Sequence, residues 1–139
     1  MTRTLIAACL ALASFTSAFA EDKHTHGDDI PLGTKTMGAW KVTANRIGAW
    51  EPGKDGAGAV DLLPAKPAAK AVRVWIGDAE ATGAAKAKGE PEDTHPGGWH
   101  FHVAVPKPIP AGAMFWVVIE TEDGQKLTES FPLEAAAKK

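Results

Sequence analysis

The stretch Glu90 to Val105 reads E-P-E-D-T-H-P-G-G-W-H-F-H-V-A-V and holds three of the chain's five histidines. Within it, Trp99, Phe101, Val103 and Val105 alternate with His100, His102 and Ala104. Side chains on a strand alternate between its faces, so the pattern predicts a strand over Trp99 to Val105. Its apolar set points into a core, and both imidazoles point the other way. Their Cα atoms then lie about 7 Å apart. At that separation two rings can close on one metal ion at the zinc–nitrogen distance of ~2.0–2.1 Å. His95 precedes the turn residues Pro96-Gly97-Gly98, which can fold it back towards the pair as a third ligand. Glu90, Glu92 and Asp93 offer oxygens in the same loop. Two or three imidazoles, with or without a carboxylate, suit Cu(II) or Zn(II). The bland alternative is that His100 and His102 only solvate an exposed strand face. A third option is a response to pH, because imidazole charge changes near pH ~6.5.

A second His-x-His, His24 and His26, lies in residues 21–36, flanked by Asp22, Asp28 and Asp29. This segment is polar and without period, and it is read as a flexible N-terminal arm. Its histidines are candidate auxiliary metal ligands; the alternative is a solvated leader. The tryptophans carry a weaker suggestion. In Val72-Arg73-Val74-Trp75-Ile76 the β-branched residues form one face and Arg73 and Trp75 the other. If this strand and Met114 to Thr121 neighbour the histidine strand in one sheet, Trp75 and Trp116 share a surface with His100 and His102. Indole faces favour cations, and Met114 would add a soft ligand. The competing reading has these tryptophans filling the core.

Catalytic patterns are missing from the sequence. No nucleophile elbow or Gly-rich phosphate loop occurs, and the Glu90/Glu92 pair stands in a loop without the burial that tunes an acid–base couple. The chain is therefore read as non-enzymatic.

The first 20 residues have the form of a signal peptide. Arg3 supplies the positive end, Leu5 to Leu12 the apolar run, and Ala18-Phe19-Ala20 the small-x-small cleavage pattern. Cys9, the only cysteine, leaves with it, so the expected exported chain has neither disulfide nor thiolate ligand. The expected location is the periplasm, or outside the cell. No later segment reaches the ~20 apolar residues of a membrane-spanning helix, which argues against an integral membrane protein. Removing Arg3 from the 15 basic residues leaves 14 against 17 acidic ones, a net charge of −3. Without a basic patch, nucleic acid is not an expected partner.

From Met37 onward short strands are separated by Gly, Pro and Asp. They are expected at Ala39 to Ile47, Ala59 to Leu63, Ala71 to Ile76, Ala84 to Lys88, Trp99 to Val105, Met114 to Thr121 and Lys126 to Leu133. The last two are joined through Glu122-Asp123-Gly124-Gln125, whose Asp-Gly is a hairpin signal. Some seven strands without an amphipathic helix predict an all-β, antiparallel immunoglobulin-like β-sandwich over residues 37–133, followed by a disordered tail at 134–139.

Several segments carry a resemblance: G-A-W-K-V-T-A, A-V-R-V-W-I-G-D, G-G-W-H-F-H-V-A-V and the final G-A-M-F-W-V-V-I-E-T-E-D-G-Q-K-L-T-E-S-F-P-L. In their order the chain resembles the small exported immunoglobulin-like domains of the YtkA-like and FixH-like type, some of them associated with copper handling. The resemblance implies an envelope domain in contact with copper chemistry. Copper-handling relatives are rich in methionine, whereas only Met37 and Met114 remain here after the signal, so histidine-based Cu(II) or Zn(II) binding is the form expected. The expectation is a non-catalytic periplasmic binding protein holding a transition metal through His95, His100 and His102, with His24 and His26 as auxiliaries. The alternative is an accessory module that recognises another envelope protein through a sheet face or edge, without a metal.

Overall fold

Alternation of apolar and polar residues gives strands that bury one face each, and two such sheets satisfy each other by sharing a core. The computed structural model describes residues 27–134. It contains nine strands: β1 (Asp29–Met37), β2 (Trp40–Ile47), β3 (Asp55–Leu63), β4 (Ala71–Gly77), β5 (Ala87–Lys88), β6 (Glu90–Pro91), β7 (Gly98–Ala104), β8 (Met114–Glu120) and β9 (Lys126–Phe131). No helix occurs among the described residues. One sheet has the order β1-β2-β3-β7-β6 and the other β5-β4-β8-β9, and every pairing is antiparallel.

A single buried cluster draws on both sheets. Val42, Val60 and Phe101 enter it from the first, and Val74, Val117 and Phe131 from the second. At its centre Phe101 stacks on Phe115 with ring centroids 5.1 Å apart, and Trp50 meets both rings edge-on at 6.2 and 5.2 Å. Gly58 is the register partner of Phe101. A Cβ there would collide with the Phe101 ring, so the missing side chain is what admits the aromatic. At the rim, Lys35 on β1 meets Glu129 on β9 at 3.3 Å. An exposed pair of this kind contributes at most about 1 kcal/mol.

All seven expected strands are present, with ends shifted by a few residues. The expected arm over 21–36 is corrected: Asp29–Met37 is a full edge strand. Its period is hidden because the register shifts between Pro31 and Gly33, leaving Leu32 and Met37, five residues apart, as its buried positions. Asp55-Gly56-Ala57-Gly58, which lies between the first two expected strands, is part of β3. The glycines that suggest a turn are there because Trp50 and Phe101 occupy the space their side chains would need. The expected signal peptide at 1–20, the rest of the arm with His24 and His26, and residues 135–139 of the expected tail lie outside the described residues. Glu134 is exposed.

Candidate functional site

The outer face of the five-stranded sheet is where β7 carries its histidines. Trp99, Phe101 and Val103 are buried, while His100 is half-buried and His102 exposed. The two imidazoles meet edge to face, with ring centroids 4.9 Å apart and planes at 81°. Neither ring makes an ion pair among the described residues. Register sets their surroundings. His100 lies between Ala59 on β3 and Glu90 on β6, and His102 beside Ala57. The small alanines leave the strip across β3 open, so nothing bulky stands over the rings from that side.

His95 reaches this face by a different route. The segment between β6 and β7 closes on itself: the Glu92 N–H donates to the Gly98 carbonyl at 2.9 Å, and the Gly98 N–H to the His95 carbonyl at 2.9 Å. Gly97 holds a left-handed φ of 84° in this turn, a conformation that glycine adopts without steric cost. The His95 ring then lies over Gly98, where a Cβ would strike its Cδ2. Its Nε2 stands 3.0 Å from Asp61 Oδ1, and Asn45 Nδ2 donates to the other oxygen, Asp61 Oδ2, at 3.3 Å. The contact sets the imidazole edge against the Asp61 carboxylate. Asn45, Asp61 and His95 thus lie in contact in turn across β2, β3 and the β6–β7 turn.

The turn sets His95 against Asp61, whereas the expectation has it fold back towards the His100/His102 pair. Among the described residues no group of three or more His, Cys, Asp or Glu side chains is gathered closely enough to hold a metal ion. His95 and His100 are nonetheless two walls of one cleft of about 590 Å³, together with Asp61, Glu92, Asp28 and Gly27. Asp93 is exposed in the turn and does not line that cleft.

The shared surface of histidines and tryptophans is corrected. Trp75 on β4 and Trp116 on β8 belong to the other sheet. They stack on each other at 5.9 Å. Trp75 is buried and donates its indole N–H to the Asp78 carbonyl at 2.7 Å, while Trp116 donates to Gly77 at 3.0 Å. Lys86 caps the Trp75 ring at 4.8 Å, so any cation role for that ring is already taken by the protein's own ammonium group. Met114 is likewise on β8 and lines an apolar cavity with Trp50, Ile109 and Leu133, in the opposite sheet from the imidazoles.

Asp61 and Asn45 are the participants that sequence reasoning misses. Each occupies an outward position in an alternating strand, which is legible, but their meeting with His95 depends on a register between distant segments. No protein-family model, curated protein or solved structure matches the chain.

Proposed function

We propose that the chain is an exported, non-catalytic immunoglobulin-like domain of the bacterial-type periplasm, related to the YtkA-like and FixH-like domains. It binds Cu(II) or Zn(II) at the outer face of its five-stranded sheet. His100 and His102 are the primary ligands, and His95, set against Asp61, borders the same surface.

The supporting observation is the spacing of the two rings. Metal–nitrogen bonds are about 2.0–2.1 Å, and a ring centre lies about 1.1 Å behind its nitrogen. Two imidazoles subtending about 90–110° at one ion then place their centres about 4.5–5.3 Å apart. The separation of 4.9 Å falls inside that interval. A separation of this size is compatible with both rings reaching one ion by rotation about their own side-chain bonds, without movement of the strand.

Imidazole nitrogen resonances provide the test. On addition of Zn(II) those of His100 and His102 shift together, with a stoichiometry of one ion per chain. A titration in which neither resonance moves at zinc concentrations up to the millimolar range rejects the site and leaves the role of a metal-free interaction module.

A further inference from the structure

Alternation along β2 buries Trp40, Val42 and Ala44. The next residue at the same spacing is Arg46, so a guanidinium takes the last inward position of a strand whose other inward side chains are core. Its register partner is Gly58, itself opposite Phe101 on the following strand. Arg46 is half-buried, and its Nε is enclosed with no hydrogen-bond partner among the described residues. Its Nη1 donates to the Gly48 carbonyl at 2.6 Å. It forms no ion pair among the described residues. A cation set against apolar surroundings is stabilised by an acceptor that carries the opposite charge.

Arg46 lines the cavity of about 590 Å³ that opens between the two sheets at this end of the core. Buried Ile76 on β4 and Val105, just after β7, line it from opposite sheets. Trp50, Ile109, Met114 and Leu133 are its half-buried apolar walls. Small-molecule sites measure about 300–1,000 Å³ and combine apolar walls with a few placed polar groups. These walls are held in advance of any ligand. Trp50 donates its indole N–H to the Ala57 carbonyl at 2.8 Å and packs edge-on against Phe101 and Phe115. Ile109 lies between Pro108 and Pro110, whose rings restrict the backbone. The Ala113 N–H ties that loop to the Pro110 carbonyl at 3.1 Å. Glu134, the one acidic residue of the lining, is exposed, whereas the guanidinium is half-buried.

We propose that this cavity binds a monocarboxylate with a hydrocarbon body, such as a medium-chain fatty acid. The carboxylate pairs with the Arg46 guanidinium, and the body lies against Trp50, Ile109, Met114 and Leu133. Guanidinium and carboxylate match through paired, charge-assisted hydrogen bonds, which gain strength where water is partly excluded. A hydrocarbon body is favoured over a bare anion because it covers the apolar walls that a small anion leaves wet. This cavity shares no lining residue with the cleft beside His95 and His100, and neither site depends on the other.

The experiment titrates the full chain with octanoate and follows the Trp50 indole N–H and the Met114 methyl by NMR. Octanol supplies the same body without the charge, and acetate the charge with almost no body. Octanoate is expected to shift both signals saturably, with one molecule per chain. Octanol and acetate are each expected to bind at least about 10-fold more weakly. An Arg46→Met variant, which keeps an apolar stem at this position, is expected to lose the preference for octanoate over octanol. Equal affinity for octanoate and octanol on the unsubstituted chain, or no movement of either signal up to millimolar octanoate, overturns the proposal. That comparison needs no variant, so it decides the matter even where circular dichroism shows Arg46→Met to be unfolded. A folded Arg46→Met chain that still prefers octanoate overturns the assignment of the carboxylate to Arg46.

Discussion

Gly98→Ala tests the geometry of the β6–β7 turn, on which the position of His95 depends. Gly98 is buried at the start of β7. A Cβ there would strike His95 Cδ2, lie 3.0 Å from the His95 carbonyl oxygen and 3.1 Å from Glu92 Oε2. Side-chain atoms can swing away, but the carbonyl is tied into the turn by its hydrogen bond from the Gly98 N–H. Overpacking of this kind costs about 1–3 kcal/mol. With a urea slope of about 1–3 kcal/mol per molar for a small domain, the denaturation midpoint should fall by roughly 1 M. The assay is urea denaturation of four chains: unsubstituted, Gly98→Ala, His95→Ala and the double variant. Removing the imidazole relieves its part of the clash, so the double variant should be more stable than the sum of the single effects requires, by about 1 kcal/mol. A neutral Gly98→Ala, or strict additivity, would refute the placement of the His95 ring over Gly98.

Phe101→Ala removes the ring between Phe115 and Trp50 and should destabilise by about 3–5 kcal/mol in the same assay; a loss under 1 kcal/mol would contradict its central place in the core. Glu120→Gln addresses acid stability. The hydrogen bond from Arg73 is the main cause holding the Glu120 carboxyl below its ordinary value of 4.5; Lys70 and Lys126 add to this and desolvation opposes it. A carboxyl depressed in the folded state contributes stability that is complete above its unfolded value and disappears as pH falls through the folded one. The Glu120→Gln chain should therefore be less stable than the unsubstituted chain at neutral pH. The gap should narrow as pH drops below about 4.5, as thermal melts across that range would record; a gap independent of pH would count against the Arg73 contact.

Strand content was legible because it depends on local alternation. Trp99-His100-Phe101-His102-Val103 shows its two faces directly, and the β-branched run of β4 and the apolar run of β8 are equally plain. What escaped was set by packing at a distance. Edge strand β1 is concealed by a register shift at Pro31/Gly33, and the start of β3 looks like a turn because its glycines make room for aromatic rings. The candidate site divides in the same way. The pairing of His100 with His102 follows from a spacing of two, whereas Asp61, 34 positions before His95, meets it only through the register of β3 with β7. The tryptophans show the reverse failure: a face rule applied within each strand is correct, but which sheet each strand joins is decided by long-range pairing.

The most direct test of the metal site is calorimetric titration with Zn(II) and Cu(II), comparing the unsubstituted chain with His100→Ala/His102→Ala. The two imidazoles 4.9 Å apart predict saturable binding of one ion per chain that the double variant loses. Identical isotherms for both chains, or the absence of binding heat from either metal together with no metal-dependent rise in melting temperature, would contradict a metal-binding role for this sheet face.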